Sequence, residues 1–127
     1  MVDTLANALS SIKMAEVRGK PSAQTNASKL VSKVLELLRN QGYVKEYSNA
    51  EVGKALGYLV TLNGSINNCG VIRPRFSVKV NQWEKYEERF LPARGVGMLI
   101  VSTPQGILTH AQAKEKHTGG RLLAFVY

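Results

Sequence analysis

The carboxyl-terminal quarter of this chain constrains its fold most strongly. Met98–Val101 is a continuous apolar run that is long enough for a buried strand and too short for a buried helix. Ser102 and Thr103 follow it directly. The chain must then turn, because Pro104 fixes its own φ and lacks an N–H, whereas Gly106 accepts a positive φ. The segment therefore predicts a rigid, uncharged turn that is rich in hydrogen-bond donors.

The residues after this turn predict a short helix and a last strand. Thr109 and Gln112 have the spacing of a capping box, in which each side chain satisfies a backbone N–H of the other residue. Gly119 and Gly120 suit the carboxyl-terminal exit of that helix. Leu122–Tyr127 then has the apolar and aromatic composition of a strand.

The amino-terminal half predicts two helices. Asp3 can cap the first, which ends near Gly19 and carries apolar residues at helical spacing. The second begins at Ser28, has one wide apolar stripe and ends at Gly42. The segment Ser22–Ala27 between them has the length of a short edge strand, but it is more polar than a buried strand.

The middle of the chain predicts further strands and a third helix. Tyr43–Tyr47 and Leu56–Leu62 form a predicted hairpin whose loop is Asn49–Lys54. Arg75–Val80 alternates apolar and polar residues, which indicates one core face and one wet, basic face. Trp83–Phe90 has its aromatic residues at the spacing of a short amphipathic helix.

These elements predict an α+β fold with two small subdomains. Residues 1–66 make an N-terminal α/β subdomain, with helices on a short sheet, and residues 67–127 make a mostly β subdomain with a short helix. The boundary follows from a stretch rich in Asn and Gly. A chain of 127 residues can bury a moderate core without disulfides.

Charge says most about the partner. The chain has 17 Lys and Arg against 9 Asp and Glu, a net charge of +8, which favours a polyanionic partner. No apolar run approaches the roughly 18 residues that a transmembrane helix needs. The N-terminus lacks the pattern of a secretory signal, so we expect a cytoplasmic protein. Cys69 is the single cysteine, which excludes an internal disulfide.

Catalytic and metal-binding groups are scarce in the sequence. Asp3 is the only aspartate and is better used as a helix cap, while Ser102 has no surrounding Gly-x-Ser-x-Gly motif. His110 and His117 are expected to face solvent, and with Cys69 they have no metal-ligand spacing. We predict no enzymatic activity, metal or cofactor. A hydrolase that uses Ser102 and one histidine stays open as an alternative.

Residues suited to RNA are more numerous. The cations on and beside one predicted strand face are Arg73, Arg75 and Lys79. The neutral donors around the tight turn are Ser102, Thr103, the backbone near Gly106, and Thr109. Cations give a salt-sensitive grip on phosphates, and short hydroxyls sense nucleotide shape. The other alternative is a protein-interaction module that docks the helix Trp83–Phe90 on a partner protein.

Six stretches of the chain closely resemble the eighth small-subunit ribosomal protein family. They are Val101–Lys114, Thr118–Tyr127, Cys69–Lys79, Leu91–Arg94, Asp3–Ile12 and Gly42–Tyr43. Cys69–Lys79 and Leu91–Arg94 look like the archaeal and eukaryotic cytoplasmic branch. The resemblance implies a structural constituent of the small ribosomal subunit that supports translation. It also implies direct binding to the central domain of small-subunit ribosomal RNA early in assembly, contacts with neighbouring ribosomal proteins, and neither catalysis nor a membrane or small-molecule partner.

The resemblance also implies RNA-binding residues, and it adds them to those that the composition suggests. Bacterial family members usually carry a third small hydroxyl residue where this chain has Pro104, which removes one donor. The predicted RNA-binding residues are Ser102, Thr103, Gln105, Gly106, Thr109, Gly119, Gly120, Arg73, Arg75, Lys79, Arg94, Thr4, Asn7, Ser28 and Lys29.

Overall fold

The computed structural model describes residues 4–26, 28–52, 55–72, 75–93 and 96–127. The helices in these ranges are α1 (Thr4–Val17), α2 (Lys29–Asn40), α3 (Trp83–Phe90) and α4 (His110–Glu115). The strands are β1 (Ser22–Asn26), β2 (Val44–Val52), β3 (Ala55–Leu62), β4 (Cys69–Val71), β5 (Ser77–Val78), β6 (Met98–Thr103), β7 (Gly106–Thr109) and β8 (Gly120–Val126). The predicted α+β class, with N-terminal helices and a mostly β C-terminal half, is confirmed.

The chain divides into two compact units, an N-terminal unit, Met1–Cys69, and a C-terminal unit, Gly70–Tyr127. In the N-terminal unit β1, β3 and β2 form an antiparallel sheet in that order. α1 packs against β1 and α2 packs against β2. The predicted cap of α2 is present, because the Ser28 side chain accepts a hydrogen bond from the Val31 N–H at 3.1 Å. Gly42, with a φ of 84°, ends that helix as predicted.

The predicted hairpin loop Asn49–Lys54 is wrong for most of its length. β2 continues to Val52, and Asn49 lies opposite Tyr58 on β3. Gly53 and Lys54 lie outside the described residues, as do Asp3, the predicted cap of α1, and Ala27. β2 is an edge strand, where polar side chains can remain in water while the backbone pairs on one side. The polar residues of β2 therefore led to the prediction of a loop. β1 is polar for the same reason, because it is the other edge strand of the sheet.

In the C-terminal unit a five-stranded sheet runs in the order β4, β8, β6, β7, with β5 paired to β8. β6 and β8 are the central strands, and Leu99, Val101 and Leu122 from them are completely buried. Ile72 and Trp83 belong to the same apolar core. The predicted strand at Met98–Val101 is confirmed, and it continues through Thr103.

The strand predicted at Arg75–Val80 is much shorter than its alternation suggests. Only Ser77–Val78 pairs, and Val80, predicted on the core face, is 44% exposed. The Gln82 N–H donates to the carbonyl of Lys79 at 2.9 Å, and the Gln82 side chain accepts from the Lys79 N–H. The chain therefore turns here to begin α3, and that turn ends the strand.

Candidate nucleic-acid interface

A broad groove with a volume of about 910 Å³ opens on the surface of the C-terminal unit. We call it the Ser102 groove. It lies among the end of β5, the turn after β6 and the beginning of β8. Five of the predicted RNA-binding residues line it, namely Lys79, Ser102, Thr103, Gly119 and Gly120. Ser77, His117 and Arg121 also line it, and the sequence did not predict that they bind RNA.

The turn after β6 is held by the side chain of Thr103. Its hydroxyl donates to the carbonyl of Gly106 at 2.9 Å and accepts from the N–H of Gln105 at 3.1 Å. Thr103 and Gly106 also pair as the last residues of β6 and the first of β7, and Gly106 has a φ of 122°. The turn is thus stiff, as predicted, but the Thr103 hydroxyl is engaged within it. Gln105 is exposed at its tip.

A polar row crosses three strands at the floor of the Ser102 groove. Ser77 on β5 lies opposite Arg121 on β8, and Arg121 lies opposite Ser102 on β6. Side chains that face each other across strands project from the same side of the sheet. Ser77 and Arg121 are exposed, and Ser102 is half-buried. The register therefore places Arg121 between Ser77 and Ser102 on one face of the sheet, and the exposed Lys79 lines the same groove.

From the sequence alone, the only reason to predict that Arg121 binds RNA is that it is a cation next to Gly119 and Gly120. The three residues after it are all buried, so β8 shows no alternation that would assign its outward positions. The pairing with Ser77 and Ser102 comes from residues distant in sequence. The sheet register is therefore the signal that identifies Arg121, and no local pattern contains it.

Close packing of the backbone explains why residues 119 and 120 are glycines. A Cβ on Gly119 would lie 2.5 Å from the carbonyl oxygen of Val78, and one on Gly120 would lie 2.5 Å from that of Ser102. Both glycines let β8 approach β5 and β6 closely. The sequence predicted that they form the carboxyl-terminal exit of α4. That prediction is wrong, because the helix ends before His117, which has a φ of 51°.

Thr109 caps α4, and the predicted capping box is confirmed. The Thr109 hydroxyl accepts from the Gln112 N–H, and the Gln112 side chain accepts from the Thr109 N–H, both at 3.1 Å. Thr109 is only 3% exposed. Its hydroxyl therefore caps the helix in a buried position.

His110 is buried, although the sequence predicted that it would face solvent. Its Nδ1 accepts from the Leu99 N–H at 3.0 Å, and its Nε2 lies 3.3 Å from a carboxylate oxygen of Glu87. Lys114 contacts the same carboxylate. Burial lowers the pKa of His110, and Lys114 lowers it further, against the opposing effect of Glu87. The imidazole is therefore engaged inside the unit as a link between β6 and α3.

Neither alternative function gains support from these contacts. His110 is occupied by Leu99 and Glu87, and no hydrogen bond in the described part of the chain joins Ser102 to a histidine. The apolar face of α3 packs on the core of its own unit, with Trp83 1% exposed and Tyr86 and Phe90 against the same cluster. The docking helix of the protein-interaction hypothesis is thus already covered.

The other predicted RNA-binding residues are dispersed. Arg75 is exposed but does not line the Ser102 groove. In the N-terminal unit Asn7 and Lys29 are exposed, and Ser28 is half-buried at its helix cap. The side chain of Thr4 and the whole of Arg73 and Arg94 lie outside the described residues.

The described residues give little support to other kinds of site. Among them, no three His, Cys, Asp or Glu side chains come together as metal ligands. The Cys69 thiol is buried and donates to the Leu9 carbonyl at 3.5 Å, and burial raises its pKa to about 11. None of the helices that the structure describes combines the length and the hydropathy of a transmembrane span.

The fold and this surface define a small, basic α+β protein whose groove combines hydroxyls and cations, the groups with which proteins contact RNA. Residues 3–127 match the family model described as ribosomal protein S8, and the chain belongs to that family. The family consists of structural proteins of the small ribosomal subunit that bind ribosomal RNA and other ribosomal proteins. The family predicted from the sequence is therefore confirmed.

Proposed function

We propose that this protein binds the central domain of small-subunit ribosomal RNA directly and helps it to fold during assembly of the subunit in the cytoplasm. It does so without catalysis or a cofactor. The Ser102 groove is the observation that supports this function most. It combines a stiff polar turn with two cations, Lys79 and Arg121, on one open surface of the C-terminal unit.

The roles within the groove follow from the contacts. Ser102 presents a hydroxyl beside Arg121 and recognises the shape of the RNA through its sugars and exposed base edges. Lys79 and Arg121 bind phosphates. Thr103 holds the turn, and Gln105 offers its amide at the tip.

A second RNA contact is proposed for the N-terminal subdomain, residues 1–66, through Thr4, Asn7, Ser28 and Lys29. The Ser28 oxygen accepts the cap hydrogen bond of α2, so its O–H remains able to donate to a phosphate. Arg73, Arg75 and Arg94 belong to the proposed contacts of the subdomain 67–127 through their charge. The central-domain target rests on the family resemblance.

Binding to a central-domain RNA fragment, measured over a range of salt concentrations, tests the proposal. Ser102→Ala should weaken binding about 5-fold with an unchanged salt slope, because it removes a neutral hydrogen bond. Lys79→Gln should reduce the slope of log K against log salt by about 0.9, the share of one phosphate contact.

Lys85→Gln is the matched control, since Lys85 is an exposed cation on α3 of the same unit and does not line the Ser102 groove. It should leave both affinity and slope nearly unchanged. The proposal fails if the unmutated protein does not prefer the central-domain fragment to other domains of the RNA. The site assignment fails if Ser102→Ala and Lys79→Gln behave like the control.

A further inference from the structure

We propose that His117 is a specificity-determining residue of the Ser102 groove, and that its imidazole stacks on an unpaired base of the bound RNA. The inference rests on the proposed function and adds a residue that neither the sequence patterns nor the resemblance assigned to RNA binding.

The first observation is the backbone at His117. The His117 N–H donates to the Lys114 carbonyl at 3.1 Å, and the Thr118 N–H donates to the Ala113 carbonyl at 3.0 Å. These two bonds form the Schellman motif, which places the residue after the helix cap in the left-handed region. Glycine is preferred there because a Cβ is unfavourable in that region. His117, with a φ of 51°, is the only non-glycine residue with a positive φ in the described ranges.

The same motif ends two other helices of this chain, and both use glycine. At the end of α1, Gly19 and Lys20 donate to Glu16 and Ala15. At the end of α2, Gly42 and Tyr43 donate to Arg39 and Leu38. The φ angles of the two glycines are 69° and 84°. The helix end at His117 therefore carries a residue that is less favourable for folding than the one used at the two equivalent positions.

The second observation is where this residue lies. His117 is exposed and lines the Ser102 groove together with Lys79, Ser102 and Arg121. It supplies the only aromatic ring among the described residues that line that groove. The next residue is anchored, since the carbonyl of Thr118 accepts a hydrogen bond from the indole of the buried Trp83 at 3.3 Å. The ring is therefore held at the groove by a fixed backbone.

The chemistry of the groove favours a base as the partner of this ring. Lys79 and Arg121 already offer cations for phosphates, and Ser102 offers a hydroxyl for a sugar or base edge. RNA is recognised largely at unstacked bases, which stack on the rings of Phe, Tyr, Trp or His. A non-glycine residue in the left-handed region is a reason to look for function. At His117 the disfavoured conformation and the only ring coincide.

The test is His117→Gly, studied alongside His117→Asn and Gly42→His. Glycine removes the ring and relieves the backbone, so the midpoint of thermal unfolding should stay the same or rise. Affinity for the central-domain fragment should fall about 5-fold or more, with an unchanged salt slope, because a stacked base is lost. Asparagine tolerates the left-handed region and lacks the ring, so it should lower the affinity similarly.

Gly42→His provides the matched control. No atom of the described residues lies within 4 Å of a Cβ built on Gly42, so this change isolates the effect of histidine in a Schellman motif that does not line the groove. It should lower the unfolding midpoint and leave RNA affinity unchanged. If Gly42→His does not lower the midpoint, histidine is not disfavoured in this motif and the inference is overturned.

Ser102→Ala, measured in parallel, separates this inference from the proposed function. If His117→Gly binds as tightly as the unmutated protein while Ser102→Ala is weakened, the inference is overturned and the proposed function stands. A lower unfolding midpoint in His117→Gly also overturns it, because the histidine would then act in folding. If the unmutated protein shows no preference for the fragment, the proposed function itself has failed.

Discussion

Ser102 and Thr103 are neighbours that both carry a hydroxyl, but their surroundings give the two hydroxyls different roles. The Thr103 hydroxyl makes two hydrogen bonds within the turn. Ser102 is paired with Arg121 across the sheet and borders the Ser102 groove. A hydroxyl that both donates and accepts inside the protein stabilises a conformation, whereas one at a groove can contact a ligand. We therefore assign Thr103 to the shape of the turn and Ser102 to recognition.

Thr103→Val tests this assignment, because valine has nearly the same shape and lacks the hydroxyl. The change should lower the free energy of unfolding by about 1–2 kcal/mol, since two hydrogen bonds are lost and the Gln105 N–H and the Gly106 carbonyl must find water. RNA affinity should fall as well, because the turn loosens. Thr103→Ser, the control, should retain most of both. Urea unfolding and RNA titration measure the two effects; a valine variant as stable as the unmutated protein would contradict the assignment.

At the scale of elements, His110 joins three parts of the C-terminal unit. It begins α4, accepts the Leu99 N–H of β6, and faces Glu87 of α3, which also contacts Lys114. Because Nδ1 accepts a hydrogen bond, it carries no proton, and Nε2 carries the proton that points to Glu87. If Nδ1 were protonated, its N–H would face the N–H of Leu99 and the hydrogen bond would be lost. The contact therefore depends on the neutral imidazole.

This contact predicts that the protein loses stability in mild acid. Burial lowers the pKa of His110 in the folded state, so the unfolded state binds the proton first as pH falls. The free energy of unfolding should be level above about pH 7 and should decrease below about pH 6.5, by at most about 1.4 kcal/mol per pH unit, until the lower pKa of the folded state is reached.

Urea unfolding between pH 5 and pH 8 measures this dependence, and two variants separate the histidines. His110→Gln should be less stable at pH 8, and its dependence on pH between about 5 and 7 should be shallower. His117→Asn is the control, because His117 is not part of the contact with Leu99 and Glu87. An equally steep loss of stability in His110→Gln would show that another group is responsible.

At the scale of the whole molecule, charge and shape make separate contributions to binding. The net charge of +8 attracts any polyanion, and the Lys and Arg residues are distributed along the whole chain. The Ser102 groove is local and combines hydroxyls, a ring and two cations. Counterion release gives affinity without selectivity, and the contacts to shape and bases give selectivity. The basic charge of a ribosomal protein therefore explains how strongly it holds RNA but not which RNA it chooses.

This separation predicts that salt weakens both specific and nonspecific binding but does not reduce the preference for the specific RNA. Raising the salt concentration from about 50 to 200 mM should weaken binding to the central-domain fragment, because counterion release becomes less favourable. Binding to an unrelated RNA duplex of equal length should weaken at least as much, because it depends entirely on charge. The ratio of the two affinities should therefore hold or rise. Parallel titrations of the two RNAs measure it, and a ratio that falls towards one at high salt would mean that charge alone selects the RNA.

The amino-acid sequence by itself determined the features that depend on neighbours along the chain. The apolar run of β6, the stripe of α2 with its Ser28 cap, and the Thr109–Gln112 capping box follow local rules of spacing, and all three are confirmed. The extended motifs determined the family as well. Helix caps and buried strands leave such signals because their stabilising contacts lie within a few residues.

The tertiary structure decided the features that depend on residues distant in sequence. β2 lies at the edge of its sheet, so its polar residues can form a strand. The turn before α3 shortens the strand predicted at Arg75–Val80. Sheet register placed Arg121 between Ser77 and Ser102, and the closeness of the strands required glycine at Gly120. The physical reason is that strand pairing brings together residues that no local pattern relates, so the polar row of the groove exists only once the sheet has formed.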